Sequence, residues 1–329
     1  MRVSTVLLAI TLCAAAPAMA QLKAAHFPAD AKWVMHVDLK ALNEAPMGQF
    51  LRQALDEEAR RRLGALKASS GIDAEKDIDS LVVCGKGATQ AGGLMYAYGR
   101  FDVQKLTAIA GGAKQFQNKA LGERSLLSWS DKGKRTHLCF IDPTLIVMSQ
   151  DEQLVQEAVG LIDGRAKGLS SGSSLARLLS HKPGRFVALQ ANNLAELAGA
   201  NPQMQLFKQA EAAQLEIGQM AGANGLACSL ALKAPNAETA QQLNQAAMGL
   251  QALALLQASQ NPDAAELAQS VKVSQQETFV TVDLTLPETL IRKQLQARAE
   301  QRKAAQANRQ AARAARPGAA AEKPERPAF

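Results

Sequence analysis

The sequence predicts an α+β protein: two tandem related repeats of mostly antiparallel sheet packed with helices, followed by a C-terminal basic helix. Three observations predict it. Runs with a period of two, joined by short turn segments, stand beside runs with a helical period. A pattern met at residue 46 returns at residue 202. The stretch from Arg292 to Phe329 carries ten bases and three acids, a net charge of +7 that equals the charge of the whole 329-residue chain. The remainder is electrically balanced, so a globally basic surface for nucleic acid is not implied.

Met1–Ala20 has the parts of a secretory signal in order: Arg2, the apolar run Val3–Leu12, the break at Pro17, and Ala18-Met19-Ala20 as the cleavage site before Gln21. The mature chain is expected to be periplasmic or secreted. No later stretch has the ~20 apolar residues needed to cross a bilayer as a helix. Residues 21–163 then form the first repeat. Lys32–Leu39 alternates as a strand. Pro46 opens a helix on which Met47, Phe50, Leu51, Leu55, Leu63 and Leu66 recur at steps of mainly three and four. Strands follow at Ser80–Lys86 and Gly93–Phe101, then a helix capped by Asp102. Three more strands lie near Ser125–Trp129, Thr136–Ile141 and Thr144–Ser149, and Asp151 caps a helix reaching Asp163.

Residues 164–174 are rich in Gly and Ser and read as a linker. Residues 175–296 form the second repeat, with strands at Arg185–Gln190, Leu215–Met220 and Gly225–Lys233. The long Ala/Leu helix Asn236–Gln257 and a short helix come next, then strands Val271–Gln275 and Thr278–Leu286, with Pro287 opening the last helix. The repeat is read from paired segments. Pro46–Ala54 and Pro202–Ala210 share P-x-x-Q, two large apolar residues, a base and Q-A. Val37–Leu42 parallels Leu189–Leu194, and Gly93-Leu94 parallels Gly225-Leu226.

The opening Phe27-Pro28-Ala29-Asp30-Ala31-Lys32-Trp33-Val34-Met35-His36-Val37-Asp38-Leu39 resembles the start of a group of exported bacterial proteins with repeated β-α-β-β units. The resemblance implies an exported α+β fold. No activity has been assigned to that group, so it implies no site residues.

Motifs that carry chemistry fail on inspection. Gly168-Leu169-Ser170-Ser171-Gly172 matches G-x-S-x-G, but it follows a helix. No acid lies between Ser170 and the downstream His181, so the Ser–acid–His order cannot be met. The glycine-rich Gly85–Gly93 precedes a strand, where a phosphate loop needs a helix, and reads as a hairpin connection. His36 and Asp38 share a strand face, which reads as solvated. Asp73, Asp77 and Asp79 invite a calcium loop, but Ile78 and Cys84 occupy the positions that need glycine and glutamate. Mature cysteines Cys84, Cys139 and Cys228 are odd in number. They read as buried thiols, with a Cys84–Cys139 bridge as the alternative that export permits.

No cofactor, metal set or catalytic residue is therefore expected. Residues 297–329 are an Ala/Arg-rich basic tail. At ~100° per residue, Arg298, Arg302, Arg309, Arg313 and Arg316 fall on one stripe. The stripe suits an anionic envelope polymer, a lipid surface or an acidic protein, and nucleic acid is not expected outside the cell. The function expected is a non-enzymatic binding or structural protein of the bacterial cell envelope. The alternatives are a small-molecule or lipid carrier with a pocket between the repeats, and an enzyme with scattered site residues.

Overall fold

In the computed structural model, residues 22–54, 57–87, 93–131, 133–179, 182–198, 206–219, 225–258 and 262–314 are described. The signal segment and Pro202, which opens the second copy of the repeated pattern, lie outside them. The α+β class holds, with every strand of the described residues in one antiparallel twelve-stranded sheet. The first half runs β1 (Trp33–Asp38), α1 (Leu39–Glu44), α2 (Pro46–Gln53), α3 (Glu57–Ser70), β2 (Ile78–Gly85), β3 (Gly93–Gly99) and α4 (Val103–Gly111). It continues with β4 (Gln117–Leu121), β5 (Arg124–Asp131), β6 (Lys134–Asp142), β7 (Leu145–Ser149) and α5 (Glu152–Ile162). After α6 (Ser174–Leu178) come β8 (Arg185–Asn192), α7 (Leu194–Ala198), β9 (Ala212–Gln219) and β10 (Gly225–Lys233). The chain then forms α8 (Ala237–Gln257), α9 (Pro262–Gln269), β11 (Val271–Gln276), β12 (Phe279–Pro287) and α10 (Glu288–Ala314).

The strand order is β11-β12-β10-β9-β8-β1-β2-β3-β7-β6-β5-β4. The first strands of the two halves, β1 and β8, pair antiparallel at the centre, Trp33 opposite Ala191 and Val37 opposite Val187. Outward from β1 the order is β2, β3, β7, β6. Outward from β8 it is β9, β10, β12, β11. Each half therefore lays out its strands in the same order, and the β4–β5 hairpin is an addition at the first half's edge.

Local chemistry sets most boundaries. The carboxylates of Asp38, Asp102 and Asp151 accept from the backbone N–H of Ala41, Lys105 and Gln153 and start α1, α4 and α5. Asn236 does the same for α8 through Thr239 N–H. Asp38 thereby cuts the predicted strand short, because Leu39 already belongs to a helix. The single helix expected from Pro46 to Leu66 is two helices, α2 and α3. Pro287 closes β12 and does not open α10. Gly164, at a φ of 73°, ends α5: Gly164 N–H donates to Leu161 O and Arg165 N–H to Gly160 O.

Alternation along the strands sorts side chains onto two faces. On one face of the first half, Val34, Val82, Leu94, Tyr96, Val147 and Cys139 are buried beneath Val155, Ala158 and Val159 of α5 and Leu175 and Leu178 of α6. The opposite face buries Ala97, Leu127, Leu138 and Ile146 with Phe101. That same face, in the second half, packs Ala191, Ala213, Leu232 and Val280 against Ala240 and Leu243 of α8.

One expectation is corrected here, and one alternative is removed. Segment 164–174 does not hang loosely between two cores. Leu169 is buried, its N–H donates to Phe27 O at 2.9 Å, and Gly168 bridges Pro28. A Cβ on Gly168 would meet Ala25 O at 2.0 Å, so this backbone approach needs glycine. The Cys84–Cys139 bridge is absent, since both thiols are free. Their strands are three places apart, about 14 Å at ~4.8 Å per strand, twice the ~7 Å a disulfide can span.

Candidate functional site

Among the described residues, the face that carries α5 and α6 in the first half has no helix laid across β9 and β10 in the second. Its floor is made of β8, β9 and β10, whose outward residues are Gln190, Asn192, Gln214, Glu216, Ala231 and Lys233. Leu178 and Arg177 of α6 form one wall, and Lys208–Glu211 and Glu196 another. Together they line a cleft of about 1120 Å³, broadly open to solvent. That is slightly above the ~300–1,000 Å³ usual for a small-molecule site.

The floor is held by a charged network. Glu216 accepts from Arg185 Nη1 at 3.0 Å, from Gln214 Nε2 at 3.1 Å, and from Lys182 Nζ. Arg185 is nearly buried, and its Nη2 also donates to Leu178 O at 2.6 Å, tying the floor to α6. Burial alone would raise the Glu216 carboxyl. The hydrogen bonds from Lys182 and Arg185 outweigh it and hold Glu216 below the usual carboxylate range. Lys233 pairs with Glu211 at 2.9 Å, and Lys32, just before β1, reaches Glu196. Among the described lining residues, five bases (Arg177, Lys182, Arg185, Lys208, Lys233) face three acids (Glu196, Glu211, Glu216). The cavity is therefore net cationic.

The sequence-derived candidates lie elsewhere. Ser170 stands in a turn: its Oγ accepts from Gly172 N–H, and Ser173 caps α6. His181 is outside the described residues. The Gly85–Gly93 segment joins the antiparallel strands β2 and β3, though residues 88–92 are outside the description. Asp73 and Asp77 form a capped turn, with Asp77 Oδ2 accepting from Asp73 N–H at 2.7 Å and Lys67 paired to Asp73 at 2.9 Å. Among the described residues no group of three His, Cys, Asp or Glu is placed to hold a metal ion. The face of β1 that His36 occupies is not solvated. His36 is 6% exposed, between Val82 and Ala188. His137 lies on β6, four strands from β1 and about 19 Å away along the sheet, so the two histidines share no cleft. Burial pushes the Cys84 thiol up to about 12 and the Cys139 thiol to about 11, so neither is a thiolate at neutral pH.

Arg298, Arg302, Arg309 and Arg313 all fall within the backbone of α10, and Arg316 lies outside the described residues. The helix is anchored at its start, where Leu290 is buried and the Arg292 guanidinium lies 4.6 Å over the Phe50 ring. From Gln296 onward every described side chain of α10 is exposed.

No family model matches the chain, and no curated protein does. The group resemblance at Phe27–Leu39 is thus not joined by a family assignment. Among solved structures the chain is similar to TP0453. Its crystal form IV matches with a TM-score of 0.46 at 9% identity, over 80% of this chain and 92% of that one. Its crystal form I matches with a TM-score of 0.43 at 10% identity, over 83% and 96%. Likeness of this degree carries no argument about function.

Proposed function

We propose that this is a non-enzymatic binding protein of the bacterial cell envelope that takes a polar, negatively charged small molecule into the cavity on β8–β10. The observation that carries the reading is the cavity itself: about 1120 Å³, with five bases against three acids over a floor of Gln and Asn. This revises the carrier expectation in one respect: the floor is made by second-half strands, with α6 as one wall, and the five lining bases suit a charged ligand better than an acyl chain. Raised thiol pKa values and dispersed histidines favour binding over catalysis. The matching strand order of the halves supports reading them as repeats of one unit.

The test is thermal unfolding of the mature chain with inorganic phosphate, a dicarboxylate, choline or glucose. The anions are expected to raise Tm, since a ligand at 100 times its Kd adds about 2.7 kcal/mol. Arg177→Ala/Lys208→Ala is expected to abolish the rise, and added salt to weaken it. Equal shifts with choline or glucose, or no shift with either anion, would reject the reading.

The exposed run of α10 favours a second element, a basic arm that holds the protein to an anionic surface. Removing residues 297–329 is expected to remove most binding to anionic vesicles at low salt while leaving Tm unchanged. Equal, salt-insensitive binding by both chains counts against the arm.

A further inference from the structure

Helix α8 changes character halfway along. In its first turns Ala240 and Leu243 are buried, and exposed Gln241, Gln242 and Gln245 face water, as a surface helix should. From Met248 the water-facing side becomes apolar. Met248, Leu250, Leu253, Leu255 and Leu256 are between 36% and 71% exposed, and Leu267 of α9 joins them. This is not a loose end. Gln251, on the inner side, donates through Nε2 to Val271 O at 2.7 Å and clamps the helix to β11. Five large apolar side chains at roughly 100 Å² apiece form a patch at the upper end of what a monomer exposes.

We infer that this half of α8 is the interface with a second copy of the chain. The stretch from Thr239 to Pro262 carries no charge at all, as the core of a protein–protein interface demands. It is bracketed by Glu238, Asp263 and Glu266, which an anionic bilayer would repel, so lipid is the poorer occupant. No helix is long and apolar enough to cross a membrane among the described residues. Gly249, whose Cβ position is open space, and Ala252 lie between the leucines and let a facing helix approach to ~8–10 Å. A two-fold axis at Leu253 sets Leu250 of each copy against Leu256 of the other, a self-complementary contact. Two such patches, with their flanking glutamines and alanines, bury about 1,200 Å², the lower bound of a specific interface.

The test is sedimentation velocity on the mature chain over a concentration series. Wild type is expected to shift from monomer to dimer. Leu253→Gln is expected to weaken the dimer at least tenfold with unchanged helix content. Leu253→Cys is expected to give a covalent dimer on mild oxidation, whereas Gln242→Cys, on the polar half of the helix, is not. A wild type that stays monomeric overturns the inference, and so does a dimer that Leu253→Gln leaves intact. Monomers that bind anionic vesicles through the patch overturn it in favour of lipid.

Discussion

Arg185→Leu is expected to destabilise the protein by about 2–3 kcal/mol. Arg185 is 8% exposed and bonds both Glu216 and the Leu178 carbonyl. Leucine fills the space but leaves the carboxylate and the carbonyl short of a donor. Breaking a buried pair from one side costs ~3–5 kcal/mol. The lower figure applies because Lys182 still reaches Glu216 from the solvent side. The pair also sets acid sensitivity. Because the folded Glu216 pKa is depressed, its stabilisation is present above the ordinary carboxylate value of 4.5 and is lost as pH falls through the lowered value. Denaturant midpoints across pH 2.5–6 should therefore fall more steeply at the acid end for wild type than for the variant. Identical pH profiles would show that the network contributes nothing.

Phe27→Ala is expected to cost about 3–5 kcal/mol and to lower Tm by on the order of 10 °C. Phe27 is fully buried, and its ring meets Tyr96 edge-on at 4.7 Å. Tyr96 is fixed in turn by its hydroxyl, which donates to His26 O at 2.7 Å. The Phe27 carbonyl also receives Leu169 N–H, so the side chain seats the strap that brings α6 onto the sheet. A cavity at Phe27 therefore loosens the α6 wall of the β8–β10 cleft as well as the first core. Calorimetric unfolding measures the loss, and a change below about 1 kcal/mol would contradict this packing.

Strand and helix identities were legible because their causes are local. Asp102, Asp151 and Asn236 cap helices by a bond three residues long or less, and β10 is bounded by Gly225 and Lys233 as the alternation predicts. What stayed hidden depends on partners distant in sequence. Gln117–Leu121 is an edge strand with mostly exposed side chains, and no apolar period marks it. The Gly/Ser run at 164–174 looks like a linker until Phe27 offers its carbonyl. The cavity had no motif. Its trace was the polar alternation Gln190, Asn192 and Gln214, Glu216 on strands whose other face is apolar. That pattern says which face is wet, not that α6 walls it. The exposure of the α8 leucines was not legible either, because an Ala/Leu composition cannot tell a buried face from an exposed one.

Anion binding on β8–β10 is tested by location through hydrogen–deuterium exchange, with and without the anion that most raises Tm. Slowed exchange is expected in residues 174–178, 185–192 and 206–216, with the first-half strands unchanged. Protection confined to β2–β7 or to α10, or no protection at a saturating concentration, would contradict it.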